Sequence, residues 1–485
     1  ILWIVLPALF LSGYRPDVIE LQLIGKEWVL ATRKHPMLPA WILEILNILT
    51  NRAFAAPFIA SQLCVLLTLW SVWKLGRTVL SEKHALIGTL VMLPYWFFTI
   101  ESIKYNQNLV LIAFWSLSVY LVFQALQTNR LFYWLMSGLS IGLAFHAKYT
   151  TIILVLTIII YMIIRPSMRK YFWNGIGFYC TALIAFLVFL PHLIWLYEDN
   201  FAIFNYLHNR HYVELTWFNY FICPLHFFAT QLLFLLPILI VLFPTVGYVW
   251  NWKFKEPEKN KEMECEKYIF FCIMIPFGIH LIISCITRMS LLGDYGAVFW
   301  TFFGIWILLR FQSREIPNLF LRTIKFLVFM EVIGVFIFIF QSVFSPYITG
   351  TPRNFHYPMR ELGASCNRIW DSRFLTPCPY ITGDWFLAGN AAYTMKDRPT
   401  VHFYWDNIYN LNAKPTGIWS EDSDINKNGG MILWDVADFS DNEMPPYVRQ
   451  RFPKAEKILD NLILPYKTKA KVPPLRVGVA IVPPQ

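Results

Sequence analysis

The sequence predicts a polytopic α-helical membrane protein that ends in a small extracytoplasmic domain. Of its 485 residues, 56% are hydrophobic and only 15% are charged, and the mean hydropathy is +0.47. A soluble domain carries about 25% charged residues. Apolar runs of spanning length also recur up to about residue 345, after which Pro, Gly, Asn, Asp and charged residues dominate.

The predicted spans come first in the chain. Apolar runs lie at 1–13, 57–74, 85–100, 108–127, 131–146, 149–165, 172–197, 222–250, 268–287, 296–312 and 324–345. The stretch from Leu131 to Arg165 is divided in two, with a tight turn at FHAKYT, because one span needs only about 20 residues. The first run is interpreted as the end of a membrane helix, since no small-residue cleavage site follows it.

Loop charges set the predicted orientation. With the N-terminus in the cytoplasm, the inside loops hold most of the lysines and arginines, including a lysine-rich loop at 253–267. The short outside loops hold only Lys104, Lys148, Arg210 and Arg288. This is a positive-inside pattern, so the net charge of +10 indicates membrane orientation rather than nucleic-acid binding.

The tail is predicted to be an extracytoplasmic α/β or mostly β domain at 346–485, following a membrane domain at 1–345. Short alternating stretches in PYITGDWF, RPTVHFYW and GGMILWDV are typical of strands, and KAKVPPLRVGVAIVPPQ of a final strand. Cys366 and Cys378 fall in this tail, where a disulfide and two free thiols are equally open interpretations. No CxxC pair, Walker loop or dinucleotide fingerprint is present, which argues against structural zinc and nucleotide-driven transport.

The first outside loop, 14–56, carries an acidic pair and a basic segment. Asp17 and Glu20 are three residues apart and share a face of a short helix, where a carboxylate can act as a general base or a metal ligand. A solvated helix end is the structural alternative. His35, in KHPMLPAW, is equally open as a helix cap, a ligand or a proton carrier, and a metal site from Asp17, Glu20 and His35 stays open.

Further polar residues line the other predicted outside loops. Cations at an outer membrane boundary can bind a lipid phosphate, although snorkelling lysines are common there. The candidate phosphate-binding residues are Lys104, Asn106 and Asn108 in ESIKYNQN, Lys148 in HAK, Arg210 in the loop at 198–218, and Arg288 in TRMSLLGDYG. Arg288 can instead pair with Asp294 of the same segment.

Several motifs together resemble the bacterial relatives of the protein O-mannosyltransferases and lipid A aminoarabinose transferases. The motifs are DVIE, GKEW, KHPMLPAW, KYNQNLVLIAFWSL, GLSIGLAFHAKYT, PHLIWLYEDNF and ITGDWFLAGNAAYTMKDRPTV. The resemblance implies a GT-C glycosyltransferase fold with about 11–13 transmembrane helices, in the bacterial inner membrane, with a periplasmic active site and C-terminal domain. KHPMLPAW departs from the commoner KHPPLPAW at Met37.

The resemblance also implies a mechanism and partners. A sugar on a polyprenyl phosphate would pass to an envelope glycolipid or glycan by inverting displacement, within the lipid bilayer and without nucleic acid. Asp17 matches the acid that takes the acceptor proton, with Glu20 its partner, and which of the two acts stays open. Lys104 and Lys148, then Arg210 and Arg288, would stabilise the departing phosphate. No cofactor follows with certainty, and a divalent cation on the carboxylates stays open.

Two other classes of function fit a polytopic chain. A transporter or lipid flippase would place charges within its spans and break matching helices. The predicted spans are nearly free of charge, with Glu331 the main exception. A non-catalytic envelope assembly protein would use the tail for docking.

Overall fold

The computed structural model describes residues 1–201, 203, 217–246, 260–310, 318–402, 419–438, 444–458 and 460–485. The chain divides into two compact units. The first unit comprises Ile1–Ile4, Arg33–Pro39 and Phe58–Ile337, and the second comprises Val5–Thr32, Ala40–Pro57 and Phe338–Gln485.

Helices make up most of the described chain before residue 350. They are α1 (Leu2–Phe10), α2 (Pro16–Lys26), α3 (Leu38–Leu49), α4 (Ala56–Arg77), α5 (Glu82–Leu90), α6 (Gln107–Thr128), α7 (Leu131–Ala147), α8 (Thr151–Ile164), α9 (Arg169–Asn174), α10 (Ile176–Glu198), α11 (Asn219–Val246), α12 (Asn260–Thr287), α13 (Phe303–Arg310), α14 (Leu319–Ile339) and α15 (Ser345–Thr349). The later helices are α16 (Met359–Asp371), α17 (Trp385–Thr394), α18 (Asp422–Asn428) and α19 (Pro446–Arg451).

The polytopic prediction is confirmed. Within the described residues, six helical stretches are long and apolar enough to cross a membrane: α4, α6, α10, Asn219–Leu242, α12 and Leu319–Thr349. The most apolar window of α6 is 83% buried, against 22% for α10, so α6 lies inside the first unit. The predicted division of the Leu131–Arg165 stretch is also confirmed, because α7 and α8 are separate helices with a turn between them.

Two apolar runs expected as single spans are broken instead. The run at 85–100 forms α5 and then two 3₁₀ segments, Trp96–Phe98 and Ile100–Lys104. The run at 296–312 forms only the short helix α13 after a series of turns. A Cβ built on Gly304 would lie 2.2 Å from the carbonyl oxygen of Gly88, so α5 and α13 pack with their backbones in contact. This close packing needs glycine on both helices.

The C-terminal region forms one mixed six-stranded sheet. Its strands are β1 (Tyr380–Gly383), β2 (Thr400–His402), β3 (Gly430–Asp435), β4 (Glu456–Lys457), β5 (Leu462–Leu464) and β6 (Leu475–Val482). β1 pairs in parallel with both β2 and β3, while β6 is antiparallel to β3, β4 and β5. The four predicted strand segments are therefore confirmed, and the helices between the parallel strands make the region α/β.

The ITGDWF motif turns the chain from β1 into α17. Gly383 has φ +120°, and an added Cβ there would lie 1.7 Å from the carbonyl oxygen of Leu433, so only glycine fits. The next residue, Asp384, caps α17 by accepting a 2.8 Å hydrogen bond from the backbone N–H of Leu387. A buried apolar cluster that includes Ile432 and Trp434 of β3 stabilises this sheet.

Candidate functional site

Lys148 lies at the centre of a polar cluster in the first unit. It follows the last residue of α7 and is only 9% exposed. Its Nζ donates a 2.7 Å hydrogen bond to Oδ1 of Asn108 in the first turn of α6. The ammonium also lies 4.3 Å from the ring centre of Tyr295, in a 3₁₀ turn between α12 and α13. Three separate segments thus position one buried cation, and its charge suits the binding of an anion.

Histidine and tyrosine side chains surround this turn. The hydroxyl of Tyr149 lies 2.8 Å from Nε2 of His192, on α10. The rings of His192 and His146 are 5.8 Å apart, and His146 Nε2 donates to the carbonyl of Val188 at 2.9 Å. The sequence alone does not single out Tyr149, His192 or Tyr295 as candidates, although each lies in a quoted motif: GLSIGLAFHAKYT, PHLIWLYEDNF and TRMSLLGDYG, respectively.

Lys104 is held differently. It ends the 3₁₀ segment Ile100–Lys104, and its Nζ lies 2.5 Å from Oε2 of Glu101, three residues earlier. Both side chains are partly exposed. A carboxylate therefore already neutralises part of its charge, which weakens Lys104 as a candidate for phosphate binding.

Asn106 caps a helix. Its Oδ1 accepts hydrogen bonds from the backbone N–H groups of Asn108 at 3.0 Å and Leu109 at 3.4 Å, so it is the N-cap of α6. This geometry fixes the first turn of α6 and with it Asn108, the residue that binds Lys148. The direct ligand role expected for Asn106 stays a prediction, while its capping role is visible.

Arg288 stacks on a tyrosine. Its backbone has φ +56°, its guanidinium carbon lies 4.0 Å from the ring centre of Tyr220, and Nη2 donates a hydrogen bond to the Tyr220 hydroxyl. Within the described residues it forms no salt bridge with Asp294, the partner that the sequence left open. Arg210, the remaining predicted cation, lies outside the described residues.

The KHPMLPAW segment is divided between the units, and its first part belongs to the first one. Arg33 donates to both carboxylate oxygens of Asp199 from Nε at 3.0 Å, and its Nη2 lies 2.6 Å from Oδ1. These hydrogen bonds raise the pKa of Arg33. Tyr105 donates from its hydroxyl to the carbonyl of Pro39 at 2.9 Å. His35, half-buried, lies between these two anchors.

The acidic pair lies on α2, in the second unit. Pro16 begins the helix, where its fixed φ is favourable. Asp17 is in the first turn and half-buried, whereas Glu20, one turn later, is only 3% exposed. The expected short helix is present. Of the two carboxylates, Asp17 is the more accessible to a substrate.

A series of buried, hydrogen-bonded polar side chains anchors the second half of α2, beyond Asp17 and Glu20. Gln22 accepts a hydrogen bond from Nδ2 of Asn47, which also donates to Glu44 at 3.1 Å. Glu44 forms a bidentate salt bridge with Arg398, with distances of 2.7 and 2.9 Å. An arginine more than 350 residues away in sequence therefore helps to fix the helix that carries Asp17.

The last turn of α2 is held at the edge of the sheet. Lys26 donates to Oγ1 of Thr400 at 3.2 Å, and Thr400 in turn donates to Glu27 at 3.0 Å. Burial lowers the pKa of Lys26, and the nearby Glu27 opposes that shift. The GKEW motif therefore has a structural role, because its Lys26 and Glu27 hydrogen-bond the end of α2 to Thr400 of β2.

Two questions left open by the sequence can be addressed in the described residues. No group of three or more His, Cys, Asp or Glu side chains there is arranged to hold a metal ion. Cys366 and Cys378 are both buried, free thiols rather than a disulfide. Burial raises the pKa of the Cys366 thiol to about 12, so it is unreactive at neutral pH.

A protein-family model matches the part of the chain that contains most of the polar cluster around Lys148. Residues 34–195 match the model of the dolichyl-phosphate-mannose-protein mannosyltransferase family. This stretch includes Lys104, Asn108 and Lys148. No curated protein sequence matches the chain significantly.

Solved structures show the fold. The crystal structure of ArnT from Cupriavidus metallidurans bound to undecaprenyl phosphate is 14% identical, with a TM-score of 0.60, covering 99% of this chain and 96% of that one. An archaeal oligosaccharyltransferase, AglB from Archaeoglobus fulgidus, in complex with an inhibitory peptide and a dolichol-phosphate, is more distant: 11% identity, a TM-score of 0.41, and coverage of 89% and 69%. The expected resemblance is therefore confirmed: this multi-pass membrane protein has the GT-C fold seen in ArnT and carries, at residues 34–195, the sequence pattern of the dolichyl-phosphate-mannose-protein mannosyltransferases.

Proposed function

We propose that this protein is a membrane glycosyltransferase that transfers a sugar from a polyprenyl-phosphate donor to a cell-envelope acceptor. The observation that carries the proposal is the buried ammonium of Lys148, set between Asn108 and Tyr295 inside the segment that matches the mannosyltransferase family. The fold adds support, because ArnT, which shares it, binds undecaprenyl phosphate. The acceptor is lipid A, lipopolysaccharide or another envelope glycan, and the sugar is a hexose or a pentose.

Lys148 is assigned to the phosphate of the donor. As the bond between the anomeric carbon and the phosphate oxygen breaks, negative charge grows on the phosphate, and a preorganised ammonium in a water-poor site stabilises it. The hydrogen bond to Asn108 and the ring of Tyr295 hold the ammonium in place before the substrate arrives. Lys104 and Arg288 are assigned supporting roles, since Glu101 and Tyr220 already engage them.

Asp17 is assigned the proton of the acceptor. In a single inverting displacement, the acceptor hydroxyl attacks the anomeric carbon from the face opposite the leaving phosphate, and a carboxylate removes its proton. Asp17 is half-buried and Glu20 almost fully buried, so Asp17 is the better base and Glu20 its supporting partner. If the acceptor is itself a phosphate, no proton needs removal and Asp17 orients the substrate instead.

The proposal includes a location. The C-terminal domain at 346–485, the helix α2 that carries Asp17 and the turn that carries Lys148 are assigned to the periplasmic side of a bacterial inner membrane, with the N-terminus in the cytoplasm. The support is the charge pattern of the loops, because lysines and arginines concentrate on the opposite side.

Transport or lipid flipping is the competing function. It would be favoured by charges within the spans, and Glu331 on α14 is the main such residue. Its carboxylate accepts a 3.1 Å hydrogen bond from the indole of Trp3, and a group paired in this way has a structural explanation.

A transfer assay distinguishes the two functions. The purified protein is reconstituted in vesicles with a polyprenyl-phosphate sugar labelled in the sugar and a membrane extract as acceptor. A glycosyltransferase releases unlabelled polyprenyl phosphate and labels the acceptor. Movement of the intact labelled donor across the bilayer, with no transfer to any acceptor, would instead establish a flippase.

A further inference from the structure

The second unit contains a polar cavity apart from the acidic pair on α2. Its volume is about 320 Å³. Its walls are the loop between α3 and α4, the first turns of α16, the C-terminal end of α17, and Tyr14. The residues that line it include Arg52, Phe54, Arg360, Asn367 and Tyr14.

The lining of this cavity has a net positive charge. Arg52 and Arg360 both contribute to it, and none of the described residues that line it is an aspartate or glutamate. Neither guanidinium forms a salt bridge with any residue in the described parts of the chain. Two arginines that share a cavity repel each other unless an anion lies between them, and guanidinium groups match the geometry of phosphate and carboxylate oxygens.

Arg52 is held in a strained backbone conformation. Its φ is +58°, in the left-handed region that residues other than glycine seldom adopt, and the preceding Asn51 has φ +49°. The backbone N–H of Arg52 donates to the carbonyl of Asn47 at 2.7 Å. Its Nη1 donates to the carbonyls of Tyr393 at 3.4 Å and Met395 at 3.2 Å. These two hydrogen bonds hold one side of the guanidinium. The strained backbone and the two carbonyls together therefore fix the orientation of the Arg52 side chain.

An aromatic wall adjoins the two cations. Tyr14 stacks on Phe54, with ring centres 4.6 Å apart and planes inclined by 13°. The guanidinium carbon of Arg360 lies 5.7 Å from the ring centre of Phe54. Oδ1 of Asn367 is buried with no hydrogen-bond donor among the described residues, so it can accept a hydrogen bond from a bound molecule. The lining therefore offers guanidinium groups to bind an anion, an aromatic ring to pack against the face of a sugar, and an amide oxygen to accept from a hydroxyl.

We propose that this cavity binds the oxyanion of an acidic sugar, a phosphate or carboxylate carried on a glycan head group. Arg360 and Arg52 bind the oxygens, Phe54 covers the sugar face, and Asn367 accepts from a sugar hydroxyl. The same chemistry serves a soluble phosphosugar and the head group of a glycolipid. The proposal concerns binding alone and does not depend on the transfer reaction.

Arg360 is the residue to change, because it is exposed and its guanidinium carbon lies beside the ring of Phe54. Arg52 is a poorer choice, since its carbonyl contacts support the fold. Arg368, also exposed and on the same helix but outside the cavity, is the matched control; its Nη2 donates to Ser365.

The test measures binding of glucose 6-phosphate to the full-length protein in neutral detergent by isothermal titration calorimetry. We expect Arg360→Gln to weaken binding about tenfold or more, as loss of a charge-assisted hydrogen bond does. Arg368→Gln should leave this binding unchanged, and glucose should not bind.

A second arm distinguishes the source of the anion. Native mass spectrometry counts the phosphatidylinositol molecules retained by wild type and by Arg360→Gln. If wild type retains phosphatidylinositol, Arg360→Gln does not, and neither binds glucose 6-phosphate, the cavity binds a lipid head group. That result supports the proposed binding of an oxyanion by Arg360. Equal binding by wild type and Arg360→Gln in both arms, or equal loss in Arg368→Gln, would overturn the proposal.

Discussion

Lys148 and Asn108, forty residues apart in sequence, share a 2.7 Å hydrogen bond that joins the turn after α7 to the first turn of α6. Asn108 and the face of Tyr295 thereby hold the ammonium in one place. Lys148 is buried, whereas Lys104 is partly exposed, and a cation in a buried site acts more strongly on a bound anion than one in contact with water. This difference favours Lys148 over Lys104 as the phosphate-binding cation.

Replacing Lys148 is therefore expected to reduce transfer strongly. Lys148→Gln should lower kcat/KM for the lipid-linked donor about 100-fold, the usual cost of losing one preorganised charge-stabilising donor. Lys104→Gln should cost much less, because Glu101 already pairs with that ammonium. Steady-state kinetics with the labelled donor measure both variants. A larger loss for Lys104→Gln than for Lys148→Gln would reverse the assignment.

Asn106 should matter through the helix that it caps. Asn106→Ala removes the acceptor for two backbone N–H groups of α6 and should destabilise the protein by about 1 kcal/mol. Asn106→Ser retains a cap and should recover most of that stability. Thermal unfolding in detergent measures both variants. If Asn106→Ser is as stable as wild type but inactive, the side chain contacts substrate as well.

The salt bridge between Glu44 and Arg398 should have a large energetic effect when one partner is removed. Arg398→Met leaves the carboxylate of Glu44 buried and unpaired, at a cost of about 3 kcal/mol. The double variant Glu44→Leu with Arg398→Met should regain much of that loss, since neither charge remains. Unfolding midpoints of the three variants test this. Equal stability of Arg398→Met and wild type would show that the bidentate pair does not stabilise α2.

His356 should make stability depend on pH. Burial lowers its pKa below the ordinary value of about 6.5. Its Nε2 donates to the carbonyl of Ser342 at 2.6 Å, and its Nδ1 accepts from the backbone N–H of Arg353 at 3.1 Å, so the folded state holds the neutral ring. The unfolded chain binds the proton more readily, so stability is full above about pH 6.5 and falls as the pH drops toward the folded pKa.

The matched variant is His356→Gln, which keeps a donor toward Ser342 but cannot titrate. Its unfolding midpoint should change less than that of wild type between pH 7 and pH 5. An unaltered slope in His356→Gln would show that other groups cause the pH dependence.

Much of the architecture was predictable because it follows from local patterns. The turn between α7 and α8 follows from span length and loop charge, and the tail strands follow from their alternation. The broken runs at 85–100 and 296–312 were not predictable, since they depend on the backbone contact between Gly88 and Gly304, which are far apart in sequence. Apolar composition alone does not distinguish a span from two short packed helices.

The candidate site was predictable in type and less so in detail. The sequence indicates which polar residues lie in loops, but not which of them are already engaged. Lys104 and Lys148 look alike in sequence, but in the structure Lys104 pairs with Glu101 and Lys148 donates to Asn108. The support of α2 by Arg398 depends on a contact across the length of the chain, which no local motif indicates.

The most direct test of the proposed reaction compares two carboxylate variants in one assay. Asp17→Asn and Glu20→Gln are measured for transfer of labelled sugar from a polyprenyl-phosphate donor, with unfolding midpoints confirming that both fold. The proposal predicts transfer by the wild type, its near-complete loss in Asp17→Asn, and a smaller loss in Glu20→Gln. Full transfer by Asp17→Asn with none by Glu20→Gln would assign the base to Glu20. No effect of either substitution would contradict the proposed mechanism itself.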